Sequence, residues 1–299
     1  MARFFRNTLL KSLVVFLVSL GIIHPQESAR PEEQDIILRI ANSMLDEYEP
    51  RAVPIELEVF NLKDQKNLTK TSVYNTITTH SDQLFNSKWG RPTNAHETIH
   101  EINNSISQTK RGYRAFYGSL NKAIWIKEPK ITMDDIIPYI PQSVRGYRFP
   151  TYFIDQKRFW NEVALYPLDE WVAYIGGAEC AVDDYKNHNL DPTKYPSEEM
   201  KFYTDVRSDE VSGSLEFAIY CTGLAMCIKD KDREYWNDYM QFRYAMKFFL
   251  VKAEEVFFTG KGIFPSRRQD ELLENLQNHQ DTTEMRTFLL NEFDGLFIR

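Results

Sequence analysis

His96-Glu97-Thr98-Ile99-His100 is the stretch on which the reading of this chain turns. On an α-helix, residues four apart share a face, so both imidazoles can reach one ion through their ring nitrogens. Glu97 points off that line, where a carboxylate can take a proton from an activated water and later hand it to a leaving amine. These residue types at this spacing predict a zinc site. The helix is expected to begin at Thr93 or Asn94, which are good N-caps, with Pro92 ending anything upstream. Ile99, Ile102 and Ile106 continue its apolar stripe, and Gly112 is its expected stop.

A third protein ligand should come from a second element. The segment Tyr166 to Asp183 reads as a helix, with Pro167 suited to the first helical position, Asp169 and Glu170 at the positive end of the dipole, and Leu168, Trp171, Val172 and Ile175 supplying apolar surface. Glu170 is the expected ligand in preference to Glu179 or Asp183. Small residues one turn further on, among them Ala173, Gly176 and Gly177, let this helix approach the His helix closely. Two His and one Glu leave a fourth position for water, as catalytic zinc requires. The competing readings are a chance His pair and a Glu170 that only complements its helix dipole.

Taken together, His96 to His100 and Glu170 to Tyr174 resemble the zincin metallopeptidases, and among them the gluzincins, in which a Glu on a second helix completes the HExxH pair. The resemblance implies that His96, His100 and Glu170 bind Zn2+ and that Glu97 is the general base. The interval from His100 to Glu170 is longer than in thermolysin-like members and looks more like that of the lethal-factor-like zincins. Tyr174 stands where thermolysin-like members often carry an acidic residue behind the ligands. The resemblance also implies an edge strand near the His helix, to which a peptide substrate can add.

Composition narrows the remaining possibilities. A chain of 299 residues that is 42% hydrophobic and 14% aromatic can bury a sizeable core. A net charge of −7, with no basic run interleaved with aromatics, argues against a nucleic-acid partner. Arg3, Arg6 and Lys11 precede an apolar run from Ser12 to Ile23, followed by polar residues. That is the pattern of a signal peptide over residues 1–26, and it predicts a secreted or periplasmic protein unless the segment stays as an anchor. No later segment is expected to span a membrane. Cys180, Cys221 and Cys227 lie beside no His and form no CxxC, so they read as core residues, with one disulfide from Cys180 to either of the others the most that could form.

The periodicity predicts an α+β fold, mostly helical, with a zincin-like core, a small sheet and a helical C-terminal part. The expected division is a catalytic domain over 27–190 and a helical subdomain over 191–299. Strands are expected over 55–62, within 69–79 and over 123–126; helices near 31–48, from Thr132, and through 212–229, 233–258 and 269–295, the last broken near Asp281. The polar, proline-containing stretch 186–197 reads as a loop. Arg145, Tyr147, Arg148, Tyr152, Tyr166 and Tyr174 are candidate donors to the oxyanion of a tetrahedral intermediate. Tyr166 and Tyr174 join Glu97 in the expected catalytic set.

The function expected is an exported zinc-dependent peptidase that hydrolyses peptide bonds in a peptide or protein substrate. The alternatives are a non-catalytic helical binding or envelope protein, and a zinc hydrolase of a non-protein substrate.

Overall fold

A computed structural model of the protein describes residues 53–54, 56–61, 91–119, 122–188 and 197–298. The signal segment, the helix expected near 31–48 and the strand expected within 69–79 lie outside these residues. The described part is mostly helical with one small antiparallel sheet.

The sheet has the order β1 (Val59–Asn61), β3 (Lys122–Lys127), β2 (Tyr113–Ser119). Ile124 of β3 is the centre of the register, opposite Val59 on one side and Phe116 on the other. Its alternating neighbours Ala123, Trp125 and Ile126 are all buried, the pattern of a strand covered on both faces. The expected strand at 123–126 is therefore present, whereas β2 is unannounced in the sequence. Its start is set by Gly112, whose φ of 77° few other residues adopt.

The His helix, α1, spans Arg91–Ser107 and corrects two expectations. It begins before Thr93 and Asn94, with Pro92 inside its first turn, where the missing N–H costs no hydrogen bond. It also ends five residues before Gly112, in a turn where the carbonyls of Asn104, Ile106 and Ser107 accept from the amides of Gln108, Thr109 and Lys110, and its last side chains reach the sheet. Ser107 Oγ donates to Asn103 O (2.6 Å) and accepts from Ala115 N (2.9 Å), and Asn103 Oδ1 accepts from Tyr117 N at 2.7 Å. These last two bonds occupy outward-facing amides of edge strand β2. At Ala115 and Tyr117 a substrate strand cannot add, contrary to the expectation for an edge strand beside this helix.

After the sheet, α2 (Met133–Ile136) starts from a capping box in which Thr132 and Asp135 bond each other's backbone amides. A π-helical turn (Pro150–Asp155) and α3 (Lys157–Trp160) lead to α4 (Tyr166–His188). Helix α4 thus takes up the first residues of the expected 186–197 loop. Beyond it come α5 (Ser197–Lys231), α6 (Arg233–Asp238), α7 (Met240–Ile263), α8 (Arg267–Asn278) and α9 (Thr283–Glu292). The break between α8 and α9 falls at Gln280–Thr282, as Asp281 suggests.

Helix α4 is the hub, packed by α1, α5, α7 and β2. Trp171 is fully buried and its indole N–H donates to Ser214 O at 2.9 Å, pinning α4 to α5 without stranding a polar atom. One hydrophobic cluster runs from Val53 to Phe297, so the boundary expected at 190/191 does not separate two cores. Cys180, Cys221 and Cys227 are buried and none forms a disulfide.

Helix α5 corrects a further expectation. Its segment Thr204–Lys231 is long and apolar enough to cross a membrane, although nothing after residue 26 was expected to approach that length. Of its most apolar window, 94% is buried inside the protein, which is how a central core helix satisfies an apolar surface on all sides.

Candidate metal centre

Two glycines of α4 set the geometry. A Cβ on Gly176 would overlap Ile99 Cδ1 of α1, and one on Gly177 would overlap the Glu210 carboxylate of α5. At these positions, and at Gly213 of α5, whose Cβ would overlap the Tyr174 ring, the three helices come close enough to share a site, as the small residues after Glu170 suggest.

At the convergence, His96 Nε2 lies 3.1 Å from His100 Nε2, and Glu170 Oε2 lies 3.8 Å from the first and 3.5 Å from the second. A triangle with these sides has a circumradius of about 2.0 Å, the length of a Zn–N or Zn–O bond. The donor set and its size therefore fit a divalent cation held by His96, His100 and Glu170. His96 and Glu170 are buried and His100 is partly so.

Behind each ligand stands a second group. His100 Nδ1 is 2.6 Å from Asp169 Oδ2, whose other oxygen accepts from Asn103 Nδ2 at 2.7 Å. Through Asn103 this chain continues to the backbone of β2, so the sheet braces the ligand. His96 Nδ1 is 3.3 Å from Glu210 Oε2 on α5. Both rings thus turn Nε2 inward and Nδ1 toward a carboxylate, the arrangement that fixes a ligand histidine's tautomer and raises its basicity. Glu170 Oε1 accepts from the Tyr166 hydroxyl at 2.8 Å, leaving Oε2 to face the imidazoles.

Three carboxylates around two imidazoles make a site that favours positive charge. Burial by itself depresses the His100 imidazole, but its hydrogen bonds to Asp169 and Glu170 more than reverse this and raise it to about 11. Burial pushes the Glu170 carboxyl up, and contact with His100 pulls it down further, to a net value below the ordinary one. For Glu210 burial prevails and its carboxyl is raised. These opposing shifts make the centre of the cluster a place that attracts a proton or another cation.

A cavity of about 720 Å³ opens beside His96, walled by Glu97, Tyr147, Tyr152, Tyr174, Asp209 and Glu210 among others. Glu97 is exposed on its wall, within reach of a bound molecule. The Tyr174 ring meets the His96 ring edge-on at 4.4 Å, and its hydroxyl lies 3.5 Å from that of Tyr152. Burial raises the Tyr174 hydroxyl despite the nearby Arg148, so it remains a donor.

The other candidate donors fall away from the cavity. Arg145 bonds the carbonyls of Ile140 and Ile137. Arg148 is buried in an ion pair with Glu216 (2.9 Å) and a second with Asp209 (2.7 Å). Tyr166 holds Glu170 and is not part of the cavity wall, so its place is behind the candidate ligand rather than in the cavity.

Sequence reasoning overlooks Asp169, Asn103 and Glu210. Asp169 reads only as a first-turn charge. Glu210 gives no usable signal, because Arg207 three residues earlier reads as its partner on the same helix face, whereas the structure sets Glu210 against His96. Comparison of the chain with protein-family models, curated proteins and solved structures finds no match.

Proposed function

We propose that the chain is a zinc-dependent peptidase, exported by its N-terminal segment, with His96, His100 and Glu170 as ligands. The observation that carries this is the Nε2, Nε2, Oε2 triangle of ion-binding size, with both Nδ1 atoms anchored on carboxylates. Zn2+ held there would supply a Lewis acid that lowers the pKa of a water and polarises a carbonyl oxygen.

The chain's own residues supply the rest. Glu97, next to a ligand and exposed in the cavity, takes the proton of the attacking water and delivers it to the leaving amine. Tyr174 donates its hydroxyl hydrogen to the developing oxyanion, and Tyr166 keeps the Glu170 carboxylate aimed. The Tyr147 and Tyr152 rings give an extended chain apolar walls to lie against.

Metal analysis of the purified protein, paired with a Glu97→Gln variant, tests the proposal. The expected result is one zinc per chain in both proteins, and peptide cleavage only in the parent. The same donor set suits ferrous iron, and recovery of iron in place of zinc would replace the peptidase reading with an oxidative one. An unchanged melting temperature in the presence of chelator would favour the non-catalytic alternative.

A further inference from the structure

The cavity beside His96 is negatively charged, and its charges are unevenly matched. Its wall includes the exposed acids Glu97 and Asp205, together with Asp209 and a buried Glu210 that faces His96, and among the described residues Arg268 is the one Arg or Lys that lines it. Asp209 is already neutralised: Arg148 lies 2.7 Å from one oxygen and Arg268 3.4 Å from the other. Asp205 is exposed, and no cation among the described residues pairs with it. Tyr147, Tyr152 and Tyr174 complete the wall with aromatic faces.

The protein's own Arg268 indicates how this surface receives a cation. Its guanidinium sits over the Tyr147 ring, 4.4 Å from the centroid, while reaching the Asp209 carboxylate. An aromatic face together with a carboxylate is a favourable environment for a guanidinium or ammonium group, and Asp205 adds to the same cavity a carboxylate without a partner cation among the described residues.

We propose that the cleft selects peptides carrying a Lys or Arg side chain near the scissile bond, with Asp205 as the specificity-determining carboxylate. The peptide nature of the substrate rests on the peptidase reading; the preference for a cation rests on the cleft. Electrostatic complementarity of this kind separates partners more than it adds raw affinity, so the effect should appear as discrimination between isosteres.

The test uses the full chain carrying Glu97→Gln, supplemented with Zn2+ so that hydrolysis stalls while peptides bind. Hexapeptides with a central Lys, Arg or Gln are compared by titration calorimetry, with and without Asp205→Asn. Asp238→Asn, an exposed acid on α6 outside the cavity, controls for net charge. The expected result is about tenfold tighter binding of the Lys and Arg peptides than of the Gln peptide, a preference abolished by Asp205→Asn and kept by Asp238→Asn. Equal binding of all three peptides, or a preference that survives Asp205→Asn, would overturn the proposal. Cleavage of the same peptides by the chain with Glu97 intact reads the peptidase proposal separately. Selective binding with no cleavage sinks the enzyme and keeps the cleft; cleavage with no selectivity does the reverse.

Discussion

Replacing Asp169 with Asn is the sharpest probe of the proposed centre, because it preserves shape and removes only a charge and an acceptor. Asp169 accepts two hydrogen bonds at once, from His100 Nδ1 at 2.6 Å and from Asn103 Nδ2 at 2.7 Å. An Asn in its place has one carbonyl oxygen and one NH2, so it must face one of those donors with another donor. A donor left unsatisfied in a part-buried site costs about 1–3 kcal/mol, which corresponds to roughly 10- to 100-fold in metal affinity. His96, backed by the longer 3.3 Å contact to Glu210, should feel little of this.

The assay is competition against a chromophoric zinc chelator, with thermal unfolding at fixed free zinc as a second readout. A ligand at a thousandfold over its Kd stabilises the folded state by about 4.1 kcal/mol, and a 100-fold weaker Kd removes about 2.7 of that. For a chain of this size, with an unfolding entropy of roughly 0.6 kcal/mol/K, the zinc-induced rise in Tm should shrink by roughly 4–5 °C. If Asp169→Asn binds zinc as tightly as the parent while remaining folded, the support assigned to Asp169 is refuted and His100 loses its claim as a ligand.

Tyr166→Phe and Tyr174→Phe should separate two roles: the first should weaken zinc binding by roughly tenfold, and the second should lower kcat by roughly 10²-fold at unchanged zinc content. Titration and steady-state kinetics on both variants check this, and the reverse pattern would exchange their assignments. Gly176→Ala drives a methyl into Ile99 and should destabilise the fold by about 1–3 kcal/mol in urea unfolding. In a Gly176→Ala/Ile99→Ala double variant the loss should be smaller than the sum of the single losses; additive losses would mean that α1 and α4 do not meet there. Asp135→Ala should cost about 1 kcal/mol at neutral pH by removing half of the capping box. Because contact with Lys231 holds the Asp135 carboxyl below its ordinary value of 3.8, that stabilisation is complete above pH 3.8 and fades as the pH falls through the lower folded value. Urea titrations at pH 7 and in acid should therefore show the gap between parent and variant closing.

Much of the site is legible in order along the chain because helical spacing is a local property. His96 and His100 share a face whatever surrounds them, and Glu170 opens a helix whose small residues announce a close neighbour. The β2 strand is not legible, since its outward amides are held by Ser107 and Asn103 across the helix-to-sheet boundary. Glu210 is hidden for a related reason: its partner is His96, on a helix joined to it only by tertiary packing.

By itself, then, the sequence determined the helical character of the chain, the identity of the two imidazoles and the acid that joins them, and the mostly apolar helices of the core. These follow from periodicity and residue chemistry, which act over a few neighbours. Only the tertiary structure decided which carboxylates stand behind the candidate ligands, that Tyr166 supports Glu170 from outside the cavity, and that the long apolar segment Thr204–Lys231 is a core helix. Those outcomes depend on which helix faces which, and that is set by the burial of surfaces far apart in the chain.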